Sequence, residues 1–125
     1  MQKKILFLGL CALILAGCAT SSRYTSYTDE RFPSKDALYS VNVYSDAQSL
    51  GSANPYYVIG KVSIEGFASS GVTPGGLMNE AKQIARKRGA DAIINAKTQA
   101  FYYYYGDQLL RFTGELIVYA PLASK

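Results

Sequence analysis

Apolar and polar positions alternate with period two across "ALYSVNVYS", with Tyr39, Val41 and Val43 on one face and Ser40, Asn42 and Tyr44 on the other. That is the pattern of a strand. "YYVIGKVSIEGFA" repeats it, with Val58, Gly60, Val62 and Ile64 aligned. Between the two, Ser45 or Asp46 can cap a single helical turn that ends by Gly51. The period then changes: Leu77, Met78, Ala81, Ile84 and Ala85 form one helical stripe. Thr73 suits the N-cap and Pro74 the first helical position. Arg86, Lys87 and Arg88 sit at the negative end of the helix, and Gly89 suits the left-handed residue after it. "ADAIINAKTQAFYYYY" and "QLLRFTGELIVYA" return to strands. The expected fold is α+β, in the order β-β-α-β-β. It has one three- or four-stranded, mostly antiparallel sheet with one helix packed on a face.

The densest feature is Phe101 followed by four tyrosines, Tyr102 to Tyr105, and then Gly106-Asp107. Gly-Asp between two strands predicts a two-residue hairpin loop. That register pairs Tyr103 with Leu110, Phe101 with Phe112, Tyr104 with Leu109, and Tyr102 with Arg111. Leu110, Phe112, Leu116 and Val118 share the core face of the return strand. Phe101, Tyr103 and Tyr105 are therefore expected to face the helix or the core edge. Tyr102 and Tyr104 are expected to face solvent, beside Leu109 and Arg111. Ile94 and Ala96 have the opposite parity to Phe101, which calls for a bulge between Lys97 and Ala100, near Gly114, unless one portion is not sheet. Two readings stay open for Tyr102 and Tyr104: strand propensity with cross-strand packing, or a contact patch of exposed rings with an Arg.

Ahead of the strands the pattern is of another kind. Lys3 and Lys4 precede an apolar run, Ile5 to Ala16. The run is shorter than the ~20 residues of a membrane-spanning helix and fits the core of a secretory signal. It ends in "LAGC", Leu15 to Cys18, which resembles the lipobox of bacterial lipoproteins. Cleavage between Gly17 and Cys18 and acylation of Cys18 are expected. Two or three acyl chains hold a protein on a membrane where one binds marginally. Ala19 stands where an Asp would favour inner-membrane retention, so the expected location is the periplasmic side of the outer membrane. Residues 1–17 read as signal peptide, 18–37 as lipidated cysteine and flexible tether, and 38–122 as the domain. The tether, polar and poor in aliphatics, would reach roughly 60 Å fully extended.

Composition narrows the chemistry. The chain has no His and two Cys, Cys11 in the apolar run and Cys18 at its end. Neither a zinc or copper site of the usual kind nor a Ser-His-Asp arrangement is supported, and no cofactor is expected. Without Lys3 and Lys4 the net charge is about +2, which implies no nucleic acid. "GVTPGG" precedes the helix but lacks the Lys-Ser/Thr ending of a phosphate-binding loop. The expectation is a non-enzymatic envelope protein acting by protein contact. The competing reading is a binder of small ligands or lipids, with a tyrosine-lined pocket between helix and sheet.

"VNVYSDAQSL", "PYYVIGKVS", "EAKQIARKRGADAIIN" and "LLRFTGELIVYA" together look like the periplasmic domain of RcsF-type outer-membrane lipoproteins. More loosely they resemble the YbjQ-type domain, through "GADAIIN" after the helix. The resemblance covers about Val41 to Tyr119. It implies a small α+β domain that reports envelope damage through protein partners. RcsF-type domains carry disulfide-forming cysteines, and this region has none. The YbjQ-type association with heavy metals lacks its His and Cys here.

Overall fold

The strand that comes last in the chain stands at the centre of the sheet. In the computed structural model, which describes residues 19–50, 55–103 and 105–120, the strands are β1 (Thr20–Ser26), β2 (Asn42–Val43), β3 (Tyr56–Phe67), β4 (Ala92–Tyr102) and β5 (Gln108–Tyr119). Their spatial order is β1-β3-β5-β4-β2. All neighbours are antiparallel except the short β2, which runs parallel to β4. One helix, α1 (Pro74–Lys87), packs on one face. The architecture is α+β as expected, with one strand more than the largest sheet anticipated.

The helix forms where its local signals place it. Thr73 is extended, at φ −123°, and its hydroxyl accepts the Gly76 N–H at 3.0 Å. Pro74 follows at the first helical position, where its missing N–H costs nothing. At the other end Gly89 adopts φ 77°, and its N–H donates to Arg86 O at 3.1 Å. Leu77, Ala81 and Ala85 are fully buried against Val62, Ile64, Phe112 and Leu116. Removing a leucine side chain such as Leu77 from water contributes about 1.5–3 kcal/mol. The small alanines let the helix lie close to the strands.

A second, smaller cluster of Leu50, Ala92, Ile94 and Ile117 lies apart from the first. Strand register puts Ala92 and Ile117 opposite one another, on the face away from α1. The 3-10 turn Ala47–Leu50 brings Leu50 to this cluster. Asp46 caps that turn as foreseen, its carboxylate accepting Ser49 N–H and Ser49 Oγ–H, each at 2.9 Å. The expected strand around Val41 is reduced to two residues. Asn42 and Val43 are in register with β4, Tyr44 adds an N–H to Ile93 O at 2.8 Å and accepts the Ala96 N–H at 3.0 Å, and the chain then turns to cover Ile94 and Ile117.

The segment read as a tether is part of the fold. Thr20–Ser26 pairs along its whole length with β3, from Thr20 opposite Gly66 to Ser26 opposite Gly60. Its composition hid it: an edge strand with one uncovered face buries little, and its ladder bonds are made by backbone. Residues 32–36 are held as well. Ser34 Oγ–H donates to Lys87 O at 2.8 Å, and Lys35 N–H donates at 2.7 Å to Arg86 O, which also accepts the Gly89 N–H, so the segment is fastened to carbonyls of the last helical turn. A side chain on Gly89 would meet Pro33 O at 2.5 Å. Gly17 and Cys18 lie outside the described residues.

The hairpin differs from expectation by three residues of register. Tyr102 pairs with Gln108, Phe101 with Leu109, Ala100 with Leu110, and Gln99 with Arg111. Tyr103 N–H donates to Asp107 O at 3.0 Å and Gly106 N–H to Tyr103 O at 2.9 Å, with Gly106 at φ 89°. The connection therefore holds three residues, with the glycine in its last, left-handed position, as in a bulged hairpin loop. An odd slip exchanges the faces. A bulge is present near Gly114, but between Ile94 and Lys97 rather than between Lys97 and Ala100, where the pairing is regular. Asn95 takes φ 54° there, and its Nδ2 donates to Glu115 Oε1 at 2.6 Å.

Candidate contact surface

The residues singled out from sequence do not form one patch. Arg111 and Leu109 share the face of β5 opposite α1, whereas Tyr102 is paired with Gln108 on the helix side. Leu109 is only 9% exposed, while Tyr102 is 75% exposed. Tyr104 lies outside the described residues. Phe101, assigned to the core side, lies instead on the open face, with the Arg111 guanidinium 4.7 Å from its ring centre. Tyr103 is likewise no core ring: it is 39% exposed, tilted against Phe67 at 5.7 Å and stacked on Tyr105 at 6.1 Å. Tyr105 is 69% exposed.

Pairing resolves the open face into rows across the strands. At the hairpin end lie Phe67, Leu109 and Phe101. The next row holds Ser21, Glu65, Arg111 and Gln99, and the one after it Arg23, Ser63, Thr113 and Lys97. Thr25, Lys61 and Glu115 follow. Arg111 Nε donates to Glu65 Oε2 at 2.8 Å, with both side chains 37% exposed. At that exposure the pair adds at most about 1 kcal/mol to stability. Its effect is to hold the guanidinium over Phe101. Arg23, Lys61, Ser63, Glu65, Arg111 and Thr113 line a shallow depression of about 410 Å³. Three cations surround one carboxylate there, so the depression is basic.

A second groove, of about 560 Å³, runs between the end of β1 and the end of α1. Tyr24, Phe32, Lys87 and Arg88 line it, and the Arg88 guanidinium sits 4.3 Å from the Tyr24 ring centre. The Tyr24 hydroxyl stands above its ordinary pKa, because burial outweighs the attraction of Arg88. The helix–sheet interface, where the competing reading put a tyrosine-lined pocket, is filled by Leu77, Ala81, Ala85, Ile64 and Phe112, all fully buried.

Sequence reasoning passed over Asp91, inside "GADAIIN". Its carboxylate takes the Lys35 ammonium at 2.9 Å, the Tyr39 hydroxyl at 3.3 Å and the Tyr119 N–H at 2.8 Å. Lys35 is shifted upward chiefly by its hydrogen bond to Asp91. Tyr39 is shifted upward by burial and then by the Asp91 charge. The cluster fastens three segments together and shows no open position for a reacting molecule. At the hairpin, Asp107 accepts Ser69 Oγ–H at 2.6 Å and Gln108 N–H at 2.8 Å, and the Ser69 bond holds its carboxyl below the usual range. Among the described residues no three side chains of metal-ligating type converge.

No protein-family profile and no curated protein matches the chain. One solved structure is similar to it, the Francisella virulence factor FvfA in its orthorhombic crystal form. The identity is 22%, over 76% of this chain and 96% of that one, with a TM-score of 0.44.

Proposed function

We propose that this chain is a lipid-anchored protein of the bacterial envelope that works by protein contact, in stress sensing or an accessory envelope role. The anchor half of the reading rests on "LAGC" at positions 15–18 after a short apolar run. The observation that carries the contact half is the uncovered sheet face, where Arg23, Lys61 and Arg111 surround Glu65 in a shallow depression. A basic, half-exposed surface with an Arg stacked on a ring suits an acidic segment of a partner protein. The resemblance to RcsF-type domains agrees with a contact role. The missing cysteines make the disulfide-dependent part of that role inapplicable.

The test is photo-crosslinking in intact cells from a reactive residue placed at Thr113. Adducts with an envelope protein are expected, and Lys61→Glu with Arg111→Glu is expected to abolish them. An adduct pattern indifferent to both charge reversals would sink this face as the contact surface.

A further inference from the structure

The tyrosine hairpin and the start of β1 lie at the same end of the sheet. Thr20 is level with Gly66, Gly66 with Leu110, and Leu110 with Ala100. Adjacent strands are about 4.8 Å apart, so Thr20 and Ala100 are separated by roughly 15 Å across the sheet. Cys18 precedes Thr20 by two residues, a reach of about 7 Å at most. If Cys18 carries lipid, the domain has almost no tether, and this end of the sheet meets the membrane surface.

The side chains at that end fit such a position. Phe67, Leu109 and Phe101 form an apolar row across the open face, and Tyr103 and Tyr105 extend it into the hairpin connection. Tyr102 adds an exposed ring at the end of β4. One row further in, Glu65, Arg111 and Gln99 are polar. The face thus changes from aromatic to charged along the strand axis, within one row. Tyrosine concentrates at the level of lipid headgroups, where its ring is in an apolar layer and its hydroxyl in a wet one.

We infer that the aromatic end of the hairpin, Phe101 to Tyr103 with Tyr105 and Phe67, seats in the headgroup layer of the bilayer that holds the Cys18 lipid. The inference rests on the lipoprotein reading. It gives the tyrosine run a lipid surface as its partner and leaves the basic depression, farther from the anchor, for protein.

The chain contains no Trp, so single tryptophans serve as depth probes. Tyr102→Trp, Tyr105→Trp and a control, Tyr57→Trp, would each be made in the full-length lipidated protein. They would be reconstituted in vesicles of phosphatidylethanolamine and phosphatidylglycerol, with a fraction of chains brominated near the glycerol end. Tyr57 is 61% exposed and stands ten positions up β3 from Phe67, roughly 30 Å away. Emission from the two hairpin probes should move to shorter wavelength and be lost to the bromolipid, while the Tyr57 probe is unaffected. Flotation of the same samples separates the two levels of the argument. Protein that floats while its hairpin probes remain unquenched overturns the seating and leaves the lipoprotein reading intact. Protein that does not float overturns both. Equal quenching at Tyr57 also overturns the seating, because the domain would then lie on its side.

Discussion

The Asp91 carboxylate and the Lys35 ammonium meet at 2.9 Å, joining the segment ahead of the first core strand to the turn that follows the helix. With Tyr39 and the Tyr119 N–H on the same carboxylate, Asp91 ties three distant stretches together. Its side chain is 14% exposed, so loss of the charge leaves donors short of a partner. Asp91→Ala is expected to lower unfolding free energy by about 2–3 kcal/mol. Urea denaturation checks this, and a change under about 1 kcal/mol would show that water replaces the carboxylate without loss.

The same cluster gives the protein an alkaline limit. Lys35, Tyr39 and Tyr119 all have their pKa raised: Lys35 by its bond to Asp91, the two tyrosines chiefly by burial. A raised value in the folded state means that the protonated form is favoured by folding. The contribution is therefore complete below the ordinary lysine and tyrosine values, near pH 10, and is lost as pH climbs through the raised ones. Melting temperature should fall steadily above about pH 10. Tyr39→Phe combined with Tyr119→Phe should flatten that fall, and an unchanged slope in the double variant would remove the phenols from the account.

Deleting residues 20–26 distinguishes an edge strand from a linker. β3 would lose its ladder partner from Gly60 to Gly66, and Tyr24 its place over Gly60. A loss on the order of 3 kcal/mol or more is expected, since Val62 and Ile64 lose cover on that flank. A deletion that melts like the parent chain would return the segment to the role of a spacer.

Cys18→Ala tests the anchor apart from the fold. The variant should keep the far-ultraviolet circular dichroism of the parent and leave the membrane fraction. Persistence in that fraction would remove acylation at Cys18 as the means of attachment.

The helix was legible in the sequence because its determinants are local: Thr73, Pro74 and Gly89 act within a turn of themselves. The core face of β5 was legible too, since Leu110, Phe112 and Leu116 contrast with Arg111, Thr113 and Glu115. The facing strand offers no such contrast. A run of tyrosines looks alike in either parity, and Gly106-Asp107 suits a two-residue and a three-residue connection equally, so the register depended on tertiary packing. Arg111 was rightly placed on the open face, but its neighbour is Phe101 rather than Tyr102. β1 escaped notice because "TSSRYTS" carries one large apolar group, Tyr24, and is held by main-chain bonds.

The central position of β5 has a consequence in time. β3 and β4 do not touch one another; each pairs with Gln108–Tyr119, and β1 reaches the rest of the sheet only through β3. A chain emerging N-terminus first has no complete sheet to form until Gln108–Tyr119 is free. The bonds that must then close are mostly between distant positions, which makes assembly slow and cooperative. The topology thus delays closure of the sheet until β5 is available to both of its neighbours.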